Sequence, residues 1–183
     1  ESFVSKIKPF KALRPRADLA AKVSSAPYDV VYESEVRDEA ARNPQTFLRV
    51  TRPDGDFPEG EQPDSATLFL RARQNLETLI NDRVYTFDPE PAVYVYRLTL
   101  GGQSQTGLVA CCSIDEYEEG LIKKHEKVRP DKVEDRTNHI LTVGTQTGLI
   151  FLAFRGTDKT TGLFADAVKN EPLYDFEGDD GVR

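Results

Sequence analysis

The stretch 123–139, KKHEKVRPDKVEDRTNH, holds both histidines of the protein together with six Lys or Arg and four Asp or Glu. It is therefore locally basic inside a chain whose formal net charge is −7. A basic, histidine-bearing island in an acidic protein points to an anion site. Pro130 suits the first position of a helix, where its fixed φ and missing N–H do no harm. A helix starting there offers free backbone N–H groups and the positive end of its dipole, a combination that favours phosphate. Lys123, Lys124 and Arg129 stand beside that end, and Lys132, Arg136 and His139 share one helix face at spacings of four and three. These six are the candidate phosphate- or nucleotide-binding residues. Like charges at such spacing repel by about a few tenths of a kcal/mol, a term that a bound polyphosphate reverses. Glu126 or His125 could accept a proton from a hydroxyl, which makes them the candidate catalytic residues. Asp131 and Asp135, one turn apart, could hold Mg²⁺ together with waters and substrate phosphates. Asp135 could equally pair with His139 or Arg136. The same run also reads as a solvated helix face with weak ion pairs.

The elements that must position this island follow from periodicity and breakers. Residues 3–14 alternate apolar and basic around Pro9 and read as a short edge strand, with Pro9 at a non-bonding position or at its end. Residues 17–23 suit a helical turn or two. Ala26-Pro27-Tyr28-Asp29 is extended and rigid, because Pro27 biases Ala26 away from helix; it could cap a strand or aim Tyr28 and Asp29 into a cleft. Ser34 caps a helix to about Arg42, ended by Asn43-Pro44. Thr46–Thr51 reads as a strand of β-branched and aromatic residues. Residues 53–64 form a polar, mobile loop. Ser65 opens a helix to about Asp82 with Leu68, Ala72, Leu76, Leu79 and Ile80 buried. Residues 84–87, 92–100 and 103–114 read as strands, with Gly101-Gly102 as a hairpin turn, and 115–120 as an acidic turn. In the island helix Val133, Thr137, Ile140 and Gly144 are expected on the core side. Thr147–Phe154 is a further apolar strand, Gly162–Lys169 a helix, and 171–183 an acidic tail that frays or begins a C-terminal part.

The 183 residues, 38% hydrophobic and 30% charged, suit one soluble domain over 1–170. No apolar run approaches the roughly 18 residues of a membrane helix. The net charge of −7 argues against a general nucleic-acid binder. Cys111 and Cys112 sit in an apolar run and point to opposite faces of a strand, so they are expected as buried, reduced thiols of a cytoplasmic protein. Oligomeric state is not legible. The expected architecture is α+β, a mixed or largely antiparallel sheet with packed helices.

Several segments together carry a resemblance. They are Lys8-Pro9-Phe10, Ala12-Leu13-Arg14-Pro15, Pro27-Tyr28-Asp29-Val30-Val31, Asn43-Pro44 and Phe47-Leu48-Arg49-Val50. Tyr94-Val95-Tyr96, Gln105-Thr106-Gly107, the block Lys123–Lys127 with Arg129–Lys132 and Asp135-Arg136, and Gln146-Thr147-Gly148 follow. Over about residues 6–155 the chain resembles the DUF1015 family of bacterial and archaeal proteins. Members are longer, which implies an N-terminal part; Val128 stands where many relatives carry Thr. More distantly, Ile7-Lys8-Pro9 and His125–Arg129 resemble the ParB/sulfiredoxin-like superfamily, which includes free-serine kinases. That resemblance implies a ParB/sulfiredoxin-like fold and a nucleotide-dependent phosphotransferase, a kinase of a small hydroxylated metabolite such as serine. ATP or ADP would be cosubstrate or ligand, with Mg²⁺. Lys124, Arg129, Lys132 and Arg136 would hold phosphates, and Glu126 or His125 would act as base. Arg14, Tyr28 and Asp29, from the matched segments, are the substrate-cleft candidates. The alternative is a non-catalytic regulatory module that binds a nucleotide or phosphorylated ligand.

Overall fold

Pro9 has no N–H to give a ladder, and the first strand ends just before it. In the computed structural model, which describes residues 5–125, 127–178 and 180–183, β1 is Ile7–Lys8 and β2 is Leu13–Pro15. One helical turn, α1 (Ala20–Val23), follows. α2 (Glu33–Arg42) starts earlier than a Ser34 cap would give, because the Tyr32 N–H donates to the Glu35 carboxylate at 2.8 Å. It stops at Asn43, ahead of Pro44.

Thr46–Thr51 forms no strand; Leu48–Thr51 within it is a helical turn, α3. Tertiary context overrides β propensity here. The Phe47 N–H donates to the Val23 carbonyl at 2.9 Å and the Thr46 N–H to Asn43 at 3.0 Å, so the backbone is satisfied without a strand partner. The loop expected to be mobile over 53–64 is ordered in its first part. Pro53–Asp56 forms a 3-10 turn packed on α2. Gly55 passes so close to α2 that a Cβ there would lie 2.7 Å from Val36 Cγ1. α4 (Ser65–Asn81) is capped by Asp64, whose carboxylate accepts the Thr67 N–H at 2.7 Å. Its buried residues are Phe69, Ala72, Asn75, Leu76 and Leu79.

β3 (Tyr85–Phe87) pairs with β2. β4 (Tyr94–Leu100) and β5 (Gln103–Val109) form an antiparallel hairpin. Gly101 and Gly102 close it with φ of 56° and 79°, a left-handed pair that glycine adopts without strain. β6 (Cys111–Cys112) pairs antiparallel with β1. The α+β class holds, and its strands form small two-stranded sheets rather than one large one. Cys111 and Cys112 are exposed, not buried as expected, because a two-residue ladder covers neither of its faces.

α5 (Ile114–Glu118) replaces the expected acidic turn; Ser113 accepts the Glu116 N–H at its start. α6 is Pro130–Val143 and α7 is Asp158–Ala167. Thr147–Phe154 forms no strand: Leu149, Ile150 and Phe151 are 72–78% exposed. The tail, expected to fray, is held. Thr99 and Arg183 exchange backbone hydrogen bonds at 2.8 and 2.9 Å, and Arg183 Nε donates to Asp175 at 2.6 Å.

The described residues divide into two units. One is drawn from Glu1–Arg14, Phe87–Lys127 and Ala153–Arg183, the other from Pro15–Thr86 and Val128–Leu152. Among the described residues, the buried apolar side chains belong to the second unit, with Val23, Val36, Leu48, Val50, Ala72 and Val84 the most enclosed. A fully buried Val or Leu stabilises by about 1.5–3 kcal/mol, which makes this unit the one with a hydrophobic core. The first unit relies more on polar fastening. Arg14 grips Asp88 through Nε at 2.8 Å and Nη2 at 2.5 Å, its Nη1 donates to the Tyr174 hydroxyl at 2.5 Å, and the Tyr94 hydroxyl donates to Asp88. No helix of the described residues is long and apolar enough to cross a membrane.

Candidate functional site

The sequence expectation of a helix opening at Pro130 is met. Arg129 is the N-cap, with extended φ and ψ of −75° and 130°, Pro130 takes the first helical position, and Gly144 ends α6 in the left-handed region at φ 79°. The Arg129 carbonyl accepts from the Lys132 and Val133 N–H groups at 3.1 Å each. Pro130 carries no N–H and the Lys132 N–H is taken by the Arg129 carbonyl, so the first turn offers an anion the Asp131 N–H and the positive end of the dipole. The Arg129 guanidinium folds onto Asp131, with contacts of 3.2 and 2.6 Å, and both side chains are exposed. Lys132 is exposed.

Arg136 stands one turn further on. It pairs with Asp135 at 2.9 and 2.6 Å, and its guanidinium lies 5.0 Å from the centre of the Tyr28 ring. This brings an island residue together with one of the cleft candidates. The turn that carries Tyr28 is fastened from its backbone side. Arg52 Nη1 donates to the carbonyls of Tyr28 and Val31, both at 3.1 Å, while its Nε and Nη2 bind Asp54 at 2.9 and 2.8 Å. The Asp54 contact, followed by opposing burial, raises the Arg52 guanidinium above its ordinary pKa. Arg52 was not singled out from the sequence. Its neighbours in Phe47-Leu48-Arg49-Val50 were, but nothing in spacing shows a side chain reaching back to residue 28. Asp29 beside it is exposed.

His139 does not share the exposed face with Lys132 and Arg136. It is 1% exposed, its Nε2–H donates to the Val50 carbonyl at 3.0 Å, and Phe69 meets its ring edge-on with centroids 5.6 Å apart. Burial, the largest influence, lowers its pKa below the ordinary imidazole value, and Arg136 lowers it further, against the Val50 hydrogen bond. As a phosphate ligand it is therefore corrected to a neutral core residue. The buried side of α6 runs through His139 and Val143, while Val133 and Ile140, expected inside, are 46% and 39% exposed. A ring that can satisfy its one N–H on a carbonyl packs like an apolar group.

This has a testable consequence. An unfolded chain would bind the proton that folded His139 refuses, so stability rises with pH through that window. It is full above about 6.5, the ordinary imidazole value. It declines as pH falls below that and levels off beneath the lowered native pKa. Urea midpoints taken between pH 8 and about 5 are expected to drop, and His139→Gln, which keeps a donor for Val50 but does not titrate, should flatten this part of the profile.

The remaining candidates are distributed differently. Lys123 and Lys124 belong to the first unit: Lys123 Nζ donates to the Gly120 carbonyl at 2.6 Å, and Lys124 Nζ lies 4.5 Å over the Tyr117 ring. His125, in the same unit, is exposed. Glu126 lies outside the described residues. Arg14 is also in the first unit, and its guanidinium is occupied by Asp88 and Tyr174; the Asp88 contact raises its pKa well above the ordinary value. Asp131 and Asp135, the expected Mg²⁺ ligands, are each paired with the neighbouring Arg129 or Arg136. Among the described residues no group of three or more His, Cys, Asp or Glu could hold a metal.

The geometry can thus offer an anion the first turn of α6 with Arg129 and Lys132, and beside it Arg136 over an aromatic ring. A family model described as a protein of unknown function, DUF1015, matches residues 7–183. No curated protein and no solved structure matches the chain.

Proposed function

We propose that this chain, which belongs to the DUF1015 family, binds the phosphate groups of a nucleotide or other phosphorylated ligand at the N-terminal turn of α6. The observation that carries the reading is a fourteen-residue helix that opens on Pro130 with Arg129 at its cap and Lys132 exposed in its first turn. The Asp131 N–H and the helix dipole favour a phosphate there, and guanidinium groups bind it through charge-assisted bonds. Asp131 and Asp135 hold Arg129 and Arg136 in the meantime. These are exposed or half-exposed ion pairs, each worth about 0–1 kcal/mol, so a polyphosphate can replace them at small cost. Tyr28 supplies a flat face for a base or sugar next to Arg136. Phosphoryl transfer to a small hydroxylated acceptor is the further step suggested by the resemblance. Binding is the part that the side chains of α6 support; the candidate bases His125 and Glu126 precede that helix in the chain.

The test is calorimetric titration with ADP and ATP at low ionic strength. Arg129→Gln combined with Lys132→Gln removes two charge-assisted contacts of about 1.5–3 kcal/mol each and should weaken binding at least tenfold. Circular dichroism should be unchanged, since both side chains are exposed. Equal affinity for the double variant and the parent would defeat the reading.

A further inference from the structure

The second unit also contains a recess of about 260 Å³ bounded by the 44–46 segment, α3 and α4. Its walls include Thr46, Arg49, Arg71, Gln74, Asn75 and Thr78, and no Asp or Glu lines it. The two arginines are in opposite situations. Arg49 is neutralised and immobilised: Nε and Nη2 donate to Asp56 at 2.6 and 3.0 Å, and Nη1 to the Pro44 carbonyl at 2.8 Å. Arg71 is half-buried, its guanidinium rests 5.4 Å from the centre of the Phe57 ring, and among the described residues it has no ion pair. A cation held against an aromatic face without a counter-charge is poised to take an anion from solution.

We infer that this recess is a binding site for a small carboxylate, held by Arg71. The planar fork of a guanidinium matches a carboxylate with two parallel hydrogen bonds. The hydroxyl of Thr78, which donates to the Gln74 carbonyl at 2.9 Å, retains lone pairs for a hydroxyl or amino group on the ligand. Asn75 is nine-tenths buried and uses both amide hydrogens, on the Arg49 carbonyl and on Asp56, each at 2.8 Å; its carbonyl oxygen is left as an acceptor. Size sets the class. The recess is smaller than the about 300–1,000 Å³ of sites for drug-sized ligands, so it suits a metabolite of three or four carbons and excludes a nucleotide. It uses none of the α6 side chains proposed for phosphate.

Saturation-transfer NMR on the whole chain, with lactate, malate and serine as probes, tests this. Glycerol serves as the uncharged control and inorganic phosphate as the competing anion. At least one carboxylate should bind saturably while glycerol does not. Arg71→Gln should weaken that binding at least tenfold. So should Thr78→Phe, which fills the recess from an exposed helix position. The Arg129→Gln, Lys132→Gln variant should leave it unchanged. Absence of saturable binding by every carboxylate overturns the inference. So does binding that survives both recess variants, or a preference for phosphate over all three carboxylates.

Discussion

Replacing Asp56 with alanine is expected to destabilise the second unit by about 2–4 kcal/mol. The Asp56 side chain is 5% exposed and accepts three hydrogen bonds, two from Arg49 and one from Asn75. Those partners sit on α3 and α4, so one carboxylate joins the 3-10 turn to both helices. Its removal strands a mostly buried guanidinium and a buried amide hydrogen, and each then lacks the partner that justified its desolvation. Arg49 is 26% exposed and can recover some hydration, which keeps the cost below that of a fully buried ion pair. Asp56→Asn should fall between, because it keeps one acceptor but loses the charge. Urea unfolding followed by circular dichroism measures the difference, and a shift below about 0.5 kcal/mol would show the junction to be held by packing alone.

Asp88→Ala is expected to have the second largest effect, about 1–3 kcal/mol, in the first unit. Arg14 and Tyr94 converge on this carboxylate, which is 11% exposed, while Arg14 is 28% exposed. The Arg14 hydrogen bonds hold the Asp88 carboxyl below its ordinary pKa, against the opposing effect of burial. The stabilisation it confers is therefore present above the unfolded carboxylate value of about 3.9 and is lost as pH falls through the lowered native one. Arg14 also donates to the Tyr174 hydroxyl, so loosening Arg14 should loosen the 171–183 segment. Limited proteolysis should then cut that segment faster in Asp88→Ala than in the parent. Equal cleavage rates would assign its order to the Thr99–Arg183 backbone pairing instead.

Local signals were legible where one residue decides the backbone. Gly101-Gly102, Asn43-Pro44 after α2 and Pro130 at the head of α6 each specify a turn or a helix end without help from distant residues. The α+β class followed from them. The misread segments depend on partners. Thr46–Thr51 and Thr147–Phe154 have the composition of strands, but a strand exists only against an edge, and neither segment meets one. The face of α6 was misassigned because histidine was counted as polar, although a single carbonyl at Val50 makes it a core side chain. The island itself was read correctly as basic and helix-opening. The pairing of Asp135 with Arg136 was one of the alternatives open in the sequence, whereas the fold of Arg129 onto Asp131 was not. Nor could spacing show that Tyr28, more than a hundred residues earlier, meets Arg136.

The two exposed cysteines bear on how the protein must be handled in the test tube. Cys112 faces Ile7 and Cys111 faces Lys8 across a ladder only two residues long. Neighbours on a strand project to opposite sides, so these thiols cannot join to each other unless the ladder dissolves. Each is nonetheless open to solvent. In air, the accessible route is a bridge between molecules, and with two outward thiols per chain the bridges can extend into polymers. Covalent oligomers in an aged preparation would record this oxidation rather than any affinity between folded surfaces, and a reductant separates the two.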